Sequence, residues 1–158
     1  MKKLLTAVLI IASFTVSAKP KLIIGIGSRH FSEKSHEMLN ENNPAVGVEL
    51  LDVQAVYVSK NSWGKKSVYL TYTPDYQVND RLSLSLNLGA ATGYKYSNSV
   101  TKNDYTLTPV NCSKSGIAPV AAVSVDYAPF SKSLAFSVAI APTVAMFYLT
   151  YSFNNLTH

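Results

Sequence analysis

Leu82-Ser83-Leu84-Ser85-Leu86-Asn87-Leu88-Gly89 alternates a leucine with a small or polar residue over eight consecutive positions. Successive side chains of an extended strand point to opposite faces, so this stretch reads as a strand with one apolar face and one small, polar face. The same period returns where Leu134, Phe136, Val138 and Ile140 are set between Ser133, Ala135, Ser137 and Ala139. It returns again where Ala145, Phe147, Leu149, Tyr151 and Phe153 are set between Met146, Tyr148, Thr150 and Ser152. Eight strand segments are expected, at 21–30, 44–51, 53–60, 66–74, 81–94, 117–128, 133–141 and 144–153. Past Ala18, a helical period is confined to a turn within Ser32–Leu39.

The polar face decides what surrounds these strands. No charged residue lies between Leu82 and Tyr94, and none between Leu134 and Phe153. Strands that face water usually carry Lys, Glu or Arg, which also discourage edge pairing. Tight connections (Leu51-Asp52 and Phe130-Ser131-Lys132) are interleaved with longer polar ones (31–43 and 95–116). Short turns at one end and long loops at the other are the pattern of an all-β, eight-stranded antiparallel transmembrane β-barrel of the bacterial outer membrane. Lipid cannot satisfy backbone N–H and C=O groups, so strands there must close on themselves. An even number of strands places both ends of the barrel on the periplasmic side. A soluble secreted β-sandwich, or a lipocalin-like barrel with its apolar face inward, is the competing architecture.

Composition agrees with a single membrane-embedded domain. The 158 residues are 47% hydrophobic and only 15% charged, with ten Tyr and six Phe, against about 25% charged residues in an average soluble domain. Met1-Lys2-Lys3, the apolar run Leu4–Val16 and the small residues of Val16-Ser17-Ala18 read as a secretory signal peptide over 1–18, leaving the barrel domain at 19–158. Its removal takes away two lysines and no acid, so the formal charge of +5 falls to +3. The remaining basic residues are scattered, with no run longer than Lys65-Lys66, so nucleic acid is not an expected partner. The single cysteine, Cys112, excludes an internal disulfide and a cysteine-based zinc site. No cofactor and no metal is called for, and the expected partners are outer-membrane lipids around a monomer.

Candidate chemistry gathers at one rim. A first strand that climbs from Lys19 delivers His30 to the outer end, and a third strand that climbs from Val53 delivers Lys60-Asn61-Ser62-Trp63 to the same end. A histidine beside a serine hydroxyl is the minimum for general-base activation of an oxygen nucleophile. Solvated loop residues are the plain alternative. His36, near Glu33 and Glu37, reads either as a cation or lipopolysaccharide contact or as a solvated histidine. Trp63 with Tyr57, Tyr69, Tyr94, Tyr96, Tyr148 and Tyr151 reads as interfacial aromatic girdles. Glu49 and Asp126 fit an interior charge network that braces the barrel. Pro44, Pro119 and Pro142 near strand ends lack a ladder donor, marking either strand stops or gaps wide enough for an acyl chain.

Several of these segments together resemble the PagP family of outer-membrane lipid A palmitoyltransferases. His30, then a polar loop and Asn40-Glu41-Asn42-Asn43-Pro44, resembles that family's first catalytic loop and its approach to strand two. Lys60-Asn61-Ser62-Trp63 resembles its Lys-Asp-Ser-Trp segment, with Tyr72 at a similar distance downstream. Pro119-Val120, Val123–Pro129 and Pro142 extend the likeness over most of the chain past Ala18. The resemblance implies transfer of a fatty acyl chain from phospholipid to lipid A or a similar outer-leaflet lipid, with phospholipid and lipopolysaccharide as partners. It implies catalytic roles for His30, Asn61 and Ser62. It also implies an acyl-chain pocket at Gly25, Gly27, Tyr72, Thr73 and Gly89, with Thr73 near a floor where the family has glycine.

Asn61 departs from the family, which has an aspartate there. A carboxylate can orient and charge-stabilise an imidazolium, whereas an amide can only hydrogen-bond. The competing function is therefore a non-catalytic small outer-membrane barrel with a structural, surface-binding or exclusion role.

Overall fold

Leu84 and Leu88 stand on the outside of a closed sheet while Ser85 and Asn87 are buried within it, and the rest of the chain follows that arrangement. The computed structural model describes residues 19–95, 99–102, 105–107 and 115–153. The expected signal segment 1–18, Tyr96 and Cys112 lie outside them. In chain order the elements are β1 (Lys21–His30), α1 (Glu33–Met38), β2 (Ala45–Leu50), β3 (Val53–Val58), β4 (Ser67–Tyr72) and β5 (Asp75–Asn79). They continue with β6 (Leu82–Ala91), β7 (Val100–Lys102), β8 (Tyr105–Leu107), β9 (Ala118–Ser131), β10 (Leu134–Ala141) and β11 (Val144–Ser152).

The main sheet runs β4-β3-β2-β1-β11-β10-β9-β6-β5, and a further pairing of β4 with β6 closes it into a barrel. All its pairings are antiparallel. β4 and β5 are two halves of one crossing. Tyr72 pairs with Leu88 and Asp75 with Ser85 in an unbroken register, and the ladder lapses between them because Pro74 has no N–H to donate. The barrel therefore has eight crossings, as the alternation predicts.

The outward face is a belt of exposed apolar side chains, among them Ile24, Val48, Leu70, Leu88, Val123, Phe136 and Ile140. Water would not sustain so large an apolar surface, whereas lipid does. The described residues contain no helix long and apolar enough to cross a membrane. Crossing is by strands, and the chain is a β-barrel of the bacterial outer membrane, in contact with membrane lipid over this belt.

The interior is layered. At the lower end, which holds the tight turns, Lys21 pairs with Glu49 at 2.7 Å and with Asp75. Gln54 donates to Glu49 at 3.4 Å and Ser85 to Asp75 at 2.7 Å. Asn87 donates to Ser124 at 2.7 Å, and Ser137 shares a hydrogen bond with Thr150 at 2.8 Å. These groups leave a cavity of about 40 Å³, room for water but not for a solute. Above them Ile23, Val56 and Val58 form a small apolar core packed by Tyr69 and Tyr148.

One irregularity sets the upper end. Lys21, Ile23 and Gly25 face inward, opposite Ser152, Thr150 and Tyr148. A bulge between Gly25 and Gly27 then places Gly27 opposite the outward Phe147, so Ser28 and His30 face inward with Met146 and Val144. An extra residue in one strand reverses the facing of everything beyond it. Without the bulge Arg29 would point into the barrel and His30 into lipid.

Candidate functional site

Above the core the barrel opens into a vestibule of about 490 Å³, walled by His30, Ser62, Trp63, Tyr69, Tyr94 and Met146 and overhung by Ser35 and Leu39 at α1. His30 and Ser62 thus share one cavity, as their positions at the rim suggest. The side chains do not engage each other: among the described residues no hydrogen bond joins them. The His30 ring and amide turn instead to Glu41, with Nδ1 at 3.3 Å from Oε1 and the amide donating to the same oxygen at 2.7 Å.

Glu41 is the residue that sequence reasoning missed. Its other carboxylate oxygen meets His36 Nδ1 at 2.8 Å and receives Arg29 at 3.3 Å, while Arg29 also lies 2.8 Å from His36 Nε2. His36 is therefore bound to Glu41 and Arg29 rather than to its nearer neighbours in sequence, Glu33 and Glu37. Burial alone would raise the Glu41 carboxyl, but the His30 amide and the two imidazoles outweigh it and hold the group below its ordinary range. Glu41 thereby ties α1 to the end of β1. The helix itself starts at Ser32, whose hydroxyl accepts the Ser35 amide at 3.1 Å.

Asn61 is 1% exposed, and its side chain is committed to its own loop. Oδ1 accepts the amides of Trp63 and Lys65, each at 2.9 Å, and Nδ2 donates to the Gly93 carbonyl at 3.3 Å. Asparagine suits this place because it both accepts and donates, where a carboxylate only accepts. Asn40 and Asn43 complete the bracing by donating to the Lys60 carbonyl at 3.2 and 2.9 Å. The Asn40–Asn43 segment therefore stitches the first outer loop to the β3–β4 loop.

The expected acyl-chain pocket does not assemble as a unit. Tyr72 is 50% exposed on the lipid face, because inward positions on β4 are Ser67, Tyr69 and Thr71. Gly27 stands on the outer side of the bulge, beneath the Glu41 carbonyl. Gly25 and Gly89 keep inward register, yet a Cβ there would meet Ala45 at 2.5 Å and the Leu70 carbonyl at 2.0 Å. Glycine at these two positions admits a neighbouring strand and adds no internal space. Thr73 is buried and lines the small lower cavity, not a floor of the vestibule. Pro119 and Pro142 line the vestibule, and the β9–β10 ladder ends below them at Val123–Ile140. The expected aromatic girdles divide as well: Tyr57 and Tyr151 are exposed outward, while Tyr69 and Tyr94 turn inward and stack edge to face.

Fold and interior together define a small outer-membrane β-barrel, occluded at its lower end and open at its upper rim. No protein-family model and no curated protein matches the chain. Among solved structures it is similar to the Yersinia pestis outer membrane protein Ail, determined as a backbone structure in a phospholipid bilayer nanodisc. That similarity has a TM-score of 0.42 at 13% identity, over 87% of this chain and 100% of Ail. The expected kinship with lipid A palmitoyltransferases is corrected: the similar solved structure is that of Ail, and no family model matches the chain. The Asn40–Asn43 and Lys60–Trp63 segments that suggested the family serve here as loop braces.

Proposed function

We propose that the chain is a non-catalytic small outer-membrane barrel whose outer loops form a braced surface platform. One observation carries this reading: the carboxamide of Asn61, where the resembled family has aspartate, is engaged through both its oxygen and its nitrogen in holding its loop. The Glu41 contacts of His30 support it, since they fix the ring as a bracket between β1 and α1. The barrel acts as a monomer among outer-leaflet phospholipid and lipopolysaccharide, with residues 1–18 removed on export.

Mass spectrometry of lipid A from cells expressing the chain tests the reading. Neither the natural chain nor its Asn61→Asp variant, which supplies the missing carboxylate, adds an acyl group. An added acyl group that disappears with His30→Ala or Ser62→Ala would refute the proposal. Protein recovered from the membrane begins at Lys19, and a retained leader would contradict the export assignment.

A further inference from the structure

Among the described residues, the outer segments 29–43, 59–66, 92–95, 99–102, 105–107 and 115–117 hold seven Lys and Arg against three Asp and Glu. The other described residues hold four against five. The excess positive charge is therefore at the outer rim, and part of it is concentrated on one side. Lys60, Lys65 and Lys66 belong to the β3–β4 loop and are exposed. Exposed Lys95 lies two residues from Gly93, whose Cα is packed so closely on Lys66 that a Cβ would come within 2.3 Å of the Lys66 carbonyl. Among the described residues no carboxylate pairs with any of these four lysines.

The backbone beneath them is fixed. Asn61 bonds to the Trp63 and Lys65 amides and to Gly93, Asn40 and Asn43 hold the Lys60 carbonyl, and Asn61 N donates to Lys65 O at 2.7 Å. The ladder under the loop begins with the pair Val58–Ser67, and the next pair, Tyr57–Val68, is exposed on the lipid face. Two residues of strand span roughly 7 Å, so Lys66 stands about that far above the first lipid-facing side chain. This is headgroup height, where lipid phosphates lie and where each lysine contributes about 1 kcal/mol of attraction to an anionic surface.

We propose that the β3–β4 loop, with Lys60, Lys65 and Lys66 joined by Lys95, docks the phosphate groups of an anionic glycolipid of the surrounding outer leaflet. The lysines are cations on a pre-fixed loop, so little backbone ordering opposes binding. The lipid source is favoured because the cluster adjoins the lipid belt directly. The inference rests on the platform reading above but fails separately from it.

Native mass spectrometry of the full chain in zwitterionic micelles, titrated with bis-phosphorylated lipid A, tests it. Phosphorylated lipid A binds at least tenfold more tightly than its dephosphorylated form at low salt, and the preference fades as salt screens the charges. The combined Lys60→Gln, Lys65→Gln, Lys66→Gln and Lys95→Gln variant loses the preference, while Lys132→Gln at the opposite rim keeps it. Trp63, the single tryptophan, reports by its emission that the loop is intact in each variant. Equal binding of both lipid forms, or an unchanged quadruple variant, would overturn the inference. A soluble sulfated saccharide that binds as tightly as lipid A would overturn the lipid source in favour of an external polyanion. A mass gain on the lipid itself would instead refute the non-catalytic reading.

Discussion

Lys21→Met is the substitution that most directly probes how the barrel is held shut. Lys21 is the cation between Glu49 and Asp75, and its side chain is 9% exposed. At the 2.7 Å separation from Glu49, the Coulomb attraction at an effective dielectric of 20 is about 6 kcal/mol. Desolvation of the ions offsets much of that, so the intact cluster adds little net stability. Removing the ammonium is a different matter, because two carboxylates then remain buried without a counter-charge. Breaking one partner out of a buried ion pair costs about 3–5 kcal/mol, and that is the expected loss. Adding Glu49→Gln and Asp75→Asn to Lys21→Met should recover most of it, since the uncompensated charges go with their partner. Urea unfolding in phosphatidylcholine vesicles, followed by Trp63 emission and by gel migration of folded and unfolded forms, measures all three proteins. A single-variant loss below about 1 kcal/mol, or a triple variant no better than the single one, would refute this account of the interior.

Three other outcomes follow from the rim and the turns. Asn61→Ala removes three hydrogen bonds at about 1 kcal/mol each, giving a loss of about 2–3 kcal/mol in the same unfolding assay. Glu41 has a depressed folded-state pKa, so its contribution is present above the ordinary carboxylate range and is lost as pH falls through the lower folded value. Hydrogen exchange at the His30 amide should accelerate in that acidic window, and Glu41→Gln should abolish the pH step. Leu51 occupies the left-handed region, with φ of 51°, at a turn where its side chain is 67% exposed. Leu51→Asn relieves that conformation without losing packing and should raise stability by about 0.5–1 kcal/mol, seen as a higher urea midpoint.

The crossings were legible because lipid imposes a period of two on every strand. Leu82–Gly89 and Leu134–Ala141 carry it without interruption, and their bounds differ from the expected ones by only a few residues. β5 was not expected, since Asp75–Asn79 lies beyond Pro74 and is short, with only Tyr76 and Val78 to mark its outward face. The rim was harder. Gly25-Ile26-Gly27 keeps an apparent alternation through the bulge, so the reversal of facing is silent in the sequence. Two glycines within one strand were the available signal. The placement of His30 and Ser62 in one vestibule could be read from topology alone. Glu41 could not, because its bonds to His30 and His36 depend on how the first outer loop folds back over β1. Asn61 invited a catalytic comparison through its neighbours Lys60, Ser62 and Trp63, while its actual bonds run to backbone groups that no motif records.

The bulge in β1 also separates two halves of a strand that would otherwise constrain each other. Below Gly25 the inward and outward sets are locked in step with β2 and β11 by the lipid belt. Above it the count starts afresh, one residue out of phase. Deleting Ile26 alone would remove the extra residue and leave Gly27, Ser28 and His30 opposite Phe147, Met146 and Val144, so His30 would stay inside the vestibule and Arg29 outside it. The bulge is therefore slack in the count: the loss of a single codon at this point leaves both the mouth and the wall facing as they do, whereas drawing Ile26 into the ladder would exchange the two rim residues.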